Sequence, residues 1–328
     1  CILVHISFSS TQKSIILKPI LISRRKENTA MCISHSLRSR QNNDMKKILT
    51  LIALFTIVSL QAGAQTAKSL FWRADSLQVS EIVSETGNQY NKVGHHGPAV
   101  ENSHMALRVY FNDTGAIDVY SKSGRGMELM EYLWYPTKEQ QDTLSLGADG
   151  YIAGKTVGLG GVALWDGEKE VKLEATKGRT ARVGDTKKGS YAEVIAYGVA
   201  YMGEYVDISI RVDVEAKTRV ATVTATELSG RKVQFLTGIN FHEGQKVTYG
   251  EDYISVWGPH PVKKTETPFP IGAGMFFSKK TFPVQEKTEN MVRIISKPAS
   301  KVSTKVVSAS VKEAELNSAK RFESYMVR

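Results

Sequence analysis

Cysteine is nearly missing from this chain: Cys1 and Cys32 are the only two among 328 residues. From residue 33 onward, disulfides, thiolate nucleophiles and cysteine-built zinc sites are excluded. Long hydrophobic runs are scarce as well. The most apolar stretch, Ile48 to Leu60, is thirteen residues, too short for a membrane-spanning helix of about 20. The short motifs of several enzyme classes are also lacking. No G-x-S-x-G nucleophile elbow occurs, and no H-E-x-x-H zinc pair. Gly154 to Gly161 is glycine-rich but has neither the residue order nor the strand-to-helix setting of a phosphate loop. Internal repeats and low-complexity runs are absent too.

The excess of positive charge is concentrated at one end. Lys and Arg total 43 against 33 Asp and Glu, a net of +10, but residues 1–64 hold nine of those bases and two of those acids. Residues 65–328 therefore carry 34 bases against 31 acids, a net of +3. That balance gives no reason to expect a nucleic-acid partner. The basic end has a pattern of its own. Met45-Lys46-Lys47 is a basic n-region, Ile48 to Leu60 an apolar core, and Ala62-Gly63-Ala64 a small-residue cleavage site, together the pattern of a secretory signal. The expectation is that residues 1–44 are upstream sequence not native to the protein and 45–64 a signal peptide cut after Ala64. Residues 65–328 then form one periplasmic or secreted domain without a membrane span. Its 264 residues suffice for a sizeable core.

What is present is alternation. In His104 to Phe111, Met105, Leu107, Val109 and Phe111 share one side, and His104, Arg108 and Tyr110 the other. Ile208 to Val214 alternates in the same way. Further strand-like runs are 162–165, 192–201, 219–227, 233–240, 253–257, 274–277, 290–295 and 305–309, separated by Asp-Gly, Ser-Gly, Lys-Gly and Glu-Gly turn signals. This predicts an all-β protein: a large, single-domain antiparallel β-sandwich, supersandwich-like, closed by a C-terminal helix. That helix is expected from a capping box at Ser310–Glu313 through Glu323, with a shorter one over Gly126–Trp134. Residues 259–270 form a long loop of the kind that frames sites.

Chemistry-bearing residues gather in the first hairpin. A three-residue loop, Asp113-Thr114-Gly115, with Gly115 left-handed, pairs Asn112 with Ala116. Tyr110 then faces Asp118 and Arg108 faces Tyr120, with all apolar side chains on the opposite side. The resulting polar face suits an acidic sugar. Arg108 can pair with a carboxylate, while one of His96, His104, Tyr110 or Tyr120 moves a proton, as β-elimination at a uronate requires. The alternative is an ordinary solvated strand face. Trp134 and Tyr135 offer a stacking platform, and His242, Trp257 and His260 could line the same cleft with Tyr110 and Asp118. His95, His96, Glu101 and His104 match no metal-ligand spacing, so no cofactor is called for, and a calcium ion among the acidic loops stays open.

At HHGPAVEN (His95–Asn102), LRVYF (Leu107–Phe111), IDVYSK (Ile117–Lys122) and GLGGVALWDG (Gly158–Gly167), the chain resembles an exported Bacteroidota family, domain of unknown function 4861. Its members occur beside genes for breaking down pectin and other uronate-rich polysaccharides. The resemblance implies a β-sandwich in a glycan setting and transfers no catalytic residue. Two functions are therefore expected: a polysaccharide lyase acting on acidic plant polysaccharide or oligosaccharide, or a non-catalytic glycan-binding module of the same utilisation system. A hydrolase with paired carboxylates is a further possibility, with Glu101 and Asp118 its visible candidates.

Overall fold

The computed structural model describes residues 67–129, 132–261 and 267–328. The expected signal segment and both cysteines lie outside them. The chain divides into two compact units, 1–64 and 65–328. The strands of the second unit begin with β1 (Lys68–Leu70), β2 (Glu81–Ser84), β3 (Ala99–Glu101), β4 (Ala106–Val109) and β5 (Ile117–Tyr120). After a helix, α1 (Lys138–Leu144), come β6 (Leu159–Trp165), β7 (Glu170–Val171), β8 (Arg179–Asp185), β9 (Gly189–Tyr201), β10 (Glu204–Glu215) and β11 (Ala221–Glu227). The chain continues with β12 (Phe235–Asn240), β13 (Lys246–Tyr249), β14 (Tyr253–Pro259) and β15 (Pro270–Phe276). Last are β16 (Val284–Lys287), β17 (Met291–Ile295), β18 (Lys301–Ser310) and α2 (Ala319–Met326).

These strands make a nine-stranded sheet, β13-β14-β15-β18-β11-β10-β9-β8-β2, a five-stranded sheet, β16-β17-β12-β6-β7, and a four-stranded sheet, β1-β3-β4-β5. The two smaller sheets pack on the large one, the four-stranded over β9 and β10 and the five-stranded over β11, β15 and β18. They meet end to end at a parallel bridge between Ile117 and Gly158. Alternation explains the layering. Ile208, Ile210, Val212 and Val214 are buried in one core with Leu107 and Val109 of β4 and with Val162, Phe235 and Ile239 of the five-stranded sheet. The intervening Arg211 and Asp213 point outward and pair with each other at 2.7 Å. The all-β sandwich expected from the sequence is the fold observed.

Several expectations are corrected. The β4–β5 ladder ends at Val109–Ile117, with the Tyr110 amide donating to the Ala116 carbonyl at 3.0 Å. The hairpin loop is thus five residues, 111–115, and the register moves by two. Arg108 stands opposite Asp118, and Tyr120 opposite Ala106. The cause is local: Asn112 Oδ1 accepts from the Thr114 amide (3.0 Å) and hydroxyl (2.8 Å), closing its own turn. A shift of two keeps every side chain on its face. Gly115 is left-handed as expected, at φ +61°.

Gly126–Trp134 has no α-helix over its described residues, and residues 130 and 131 lie outside them. The helix here is α1, capped by Thr137, whose hydroxyl accepts from the Gln140 amide at 3.2 Å while Gln140 Oε1 accepts from the Thr137 amide at 2.8 Å. That capping box was legible as T-K-E-Q. At the other end, α2 starts at Ala319, with Ser318 as its cap. Glu313 does not cap a helix because it is held by Arg219 at 2.8 Å. Helix α2 lies over the outer face of β14, β15 and β18 through Phe322 and Met326. Gly274 makes room for it: a Cβ there would meet Met326 Sδ at 2.5 Å. β14 and β15 continue to the pair Pro259–Pro270, and residues 262–266 of the long loop lie outside the described residues.

Candidate functional site

The outer face of the four-stranded sheet, expected to be open to solvent or substrate, is covered by residues 122–129 and 132–152. Arg108 shows the consequence. Its side chain is 0 % exposed, and its Nη2 sits 2.5 Å from Asp118 and 2.6 Å from Asp149. Nη1 donates to the Tyr135 hydroxyl, and Tyr110 donates to Asp118. Burial works against the Arg108 charge, but the two carboxylates outweigh it and hold the guanidinium more firmly protonated than usual. Burial also raises the Asp118 pKa to about 6, with Arg108 opposing. Arg108, expected to pair with a substrate carboxylate, has its charge already balanced here by Asp118 and Asp149. Asp149 is the reachable member of the trio, at 30 % exposure.

His95 and His96 sit above this trio on a tight turn, Gly94–His96. Both are left-handed, at φ +54° and +62°, a conformation that costs energy for residues with a Cβ and that clusters at functional sites. Gly97 allows it, because a Cβ there would fall 2.0 Å from the Val109 carbonyl. Two bonds hold the turn on the hairpin: the Phe111 amide to the His96 carbonyl and the Val109 amide to the Pro98 carbonyl, both 2.9 Å.

The turn gives the two rings different fates. His95 Nε2 donates to the Tyr132 carbonyl at 2.6 Å, and burial, then Arg108, pushes its pKa down to about 3. His96 lies flat on Tyr90, centroids 3.8 Å apart and planes 5° from parallel, with Trp134 at 5.1 Å. Its Nδ1 faces the Tyr90 carbonyl at 2.9 Å. A carbonyl accepts only, so the Nδ1 carries the proton and Nε2 keeps its lone pair. Burial lowers the His96 pKa, which favours the neutral ring. Tyr90 also meets the Tyr110 ring edge-on at 4.9 Å.

Of the residues singled out in the sequence, His96, Arg108, Tyr110, Asp118, Trp134 and Tyr135 come together here. Tyr120 points to a different network: its hydroxyl donates to Glu128 at 3.1 Å, beside the buried Glu101–Lys122 pair. Glu101 further accepts from the Glu128 and Leu129 amides at 2.6 and 2.9 Å. Its hydrogen bonds are those of a structural anchor. His104 stands apart, 3.9 Å from Glu315, and burial, then Arg219, lowers its pKa to about 4.

His242 and His260 form a third cluster, rings 4.7 Å apart. His260 Nδ1 accepts from the Ile152 amide at 3.1 Å, and His242 Nε2 donates to the Ile152 carbonyl at 3.0 Å. These two histidines therefore brace the segment that carries Asp149. Trp257 is not at the site: it packs on Phe322 of α2, 5.6 Å away. Sequence reasoning missed Tyr90 and Asp149. Asp149-Gly150 looked like one more turn signal, and nothing local announces its long-range partner.

Three of the four buried side-chain polar atoms without a protein partner among the described residues, Trp72 Nε1, His95 Nδ1 and Arg108 Nε, belong to this region. Unspent hydrogen-bonding capacity is uncommon in interiors. No three His, Cys, Asp or Glu side chains converge as a metal centre needs among the described residues, and no helix there is long and apolar enough to cross a membrane.

No curated protein matches the chain. Among solved structures it is similar to a 4-alpha-glucanotransferase from Thermococcus litoralis, at 10% identity over 65% of this chain, with a TM-score of 0.32. The match spans 39% of that enzyme, and a likeness at this score carries no functional argument. The model of the family Domain of unknown function (DUF4861) matches residues 56–328, and the chain belongs to that family.

Proposed function

We propose that this is an exported, carbohydrate-active enzyme of the lyase type, periplasmic or secreted, acting on acidic plant polysaccharide or oligosaccharide as in pectin-degrading systems of Bacteroidota. The observation that carries the reading is His96: a neutral imidazole with its Nε2 lone pair free, walled by Tyr90 and Trp134, beside a carboxylate on a buried arginine. Aromatic walls suit sugar faces, and the imidazole suits proton abstraction. In β-elimination the proton next to the uronate carboxylate moves to His96 Nε2 and its electron pair forms the C4=C5 double bond. The C4–O bond breaks, and the departing oxygen takes a proton from Tyr90 at the rim. Arg108 enters once Asp149 swings aside: a uronate carboxylate has the same charge and shape as the Asp149 carboxylate and takes its place at Nη2.

The test follows ultraviolet absorbance of unsaturated uronates while the full chain is incubated with pectin, rhamnogalacturonan, ulvan and arabinogalactan. Absorbance rises with one of them. His96→Asn, which tolerates the left-handed backbone, lowers kcat about 100-fold or more. Asp149→Asn lowers KM, because it removes the competing carboxylate. A kcat loss in Asp149→Asn with KM unchanged would instead make Asp149 a reacting group. No absorbance rise and no new reducing ends, with retarded migration in gels cast with one glycan, establishes the second reading, a glycan-binding module. Trp134, 39% exposed beside the Tyr90–His96 stack, favours that alternative.

A further inference from the structure

A cavity of about 750 Å³ lies away from the hairpin, at one end of β11, β15 and β18. Its size falls in the range of small-ligand sites, about 300–1,000 Å³. Lys305 stands in its wall, paired across the sheet with Thr222 on one side and Phe276 on the other. Lys279 and Lys280 reach it from the turn after β15. None of these three lysines makes an ion pair among the described residues, although Glu251 and Asp252 line the same cavity. Three unpaired ammonium groups around one hollow attract an oxyanion. Phe276 is half-buried and presents a ring on which an apolar sugar face can lie. Ser303, Thr222 and the two carboxylates offer partners for sugar hydroxyls.

We propose that this groove is a second glycan site, binding a short sugar chain that carries carboxylate or sulfate groups. The groove shares no residue with the His96 site and stands whether or not that site is catalytic.

Isothermal titration of the full chain tests it, using tetrasaccharides of galacturonate, sulfated galactose and plain galactose, and inorganic sulfate alone. Amide shifts of residues 276–280 and 303–305 locate the binding. An acidic tetrasaccharide shifts those amides, and its affinity falls as salt is raised. Lys279→Ala/Lys280→Ala/Lys305→Ala weakens it by about tenfold or more, the loss of three exposed ionic contacts, with unfolding behaviour unchanged. The two acidic sugars tell carboxylate from sulfate. The proposal fails if the triple variant binds like the parent, if plain galactose shifts the same amides as strongly, or if inorganic sulfate displaces the sugar at equal concentration. Absence of binding by every probe overturns it as well. Loss of lyase activity has no bearing on these readouts, so the two readings fail separately.

Discussion

Arg108 is the largest fully buried side chain in the described structure, and it is tolerated because two carboxylates and a phenol surround it. A buried charge without such partners is not sustainable. The same low-dielectric setting keeps three imidazoles neutral. Burial lowers His95 and His260 from 6.5 to about 3, and His104 to about 4. Below pH 6.5 the unfolded chain therefore binds protons that the folded chain refuses. The stability these residues confer is complete above 6.5 and is lost as pH falls toward the folded values. Asp118 works in the opposite direction. With its pKa raised from 3.8 to about 6, it favours the folded state below about 4 and loses that contribution as pH rises to about 6. His260→Asn keeps an acceptor for the Ile152 amide but cannot titrate. It should shrink the loss of unfolding free energy between pH 7 and pH 4 by about 3 kcal/mol, measured by urea denaturation at both values. At this scale the sequence revealed which residues had chemistry to offer but not which would be spent. Arg108 and His96 looked equally available, and only the fold shows one charge neutralised and the other lone pair free.

At the scale of elements, alternation was the legible signal and loop length the illegible one. The faces of β4 and β5 followed from their pattern alone, since a period of two fixes sidedness whatever the register. Opposing partners depend on the turn, and the turn depends on an Asn112 side chain that closes on Thr114. The helices failed differently. A capping box is a local preference, and at Ser310 it lost to an ion pair between Glu313 and Arg219, 94 residues away in sequence. The Gly94–His96 turn is the element on which the site depends most. Gly97→Ala drives a methyl into the Val109 carbonyl and should cost about 2–3 kcal/mol. Near-ultraviolet circular dichroism should lose signal as Tyr90, His96 and Trp134 separate. An unchanged urea midpoint would show that the turn shifts without cost.

Across residues 67–328, one buried cluster takes side chains from all three sheets. The small sheets have no separate interiors between them and the large one, so they cannot unfold independently without exposing the face of β9, β10 or β18. Phe235→Ala, in that shared core, should cost about 3–5 kcal/mol. Tryptophan fluorescence and far-ultraviolet circular dichroism should shift by the same denaturant concentration. Divergent midpoints would mean that the five-stranded sheet is a separate cooperative unit.

The cover over the four-stranded sheet obeys another logic. The described residues of 122–152 contain one short α-helix and are otherwise irregular, yet a few side chains of the sheet and of the Gly94–His96 turn hold them: Glu101 by the amides of 128 and 129, Arg108 by Tyr135 and Asp149, and His95 by the Tyr132 carbonyl. These are rivets, and the plate between them is free to be recast. Evolution or an engineer can rewrite the stretch from Pro136 to Leu146 while the sandwich beneath registers no change.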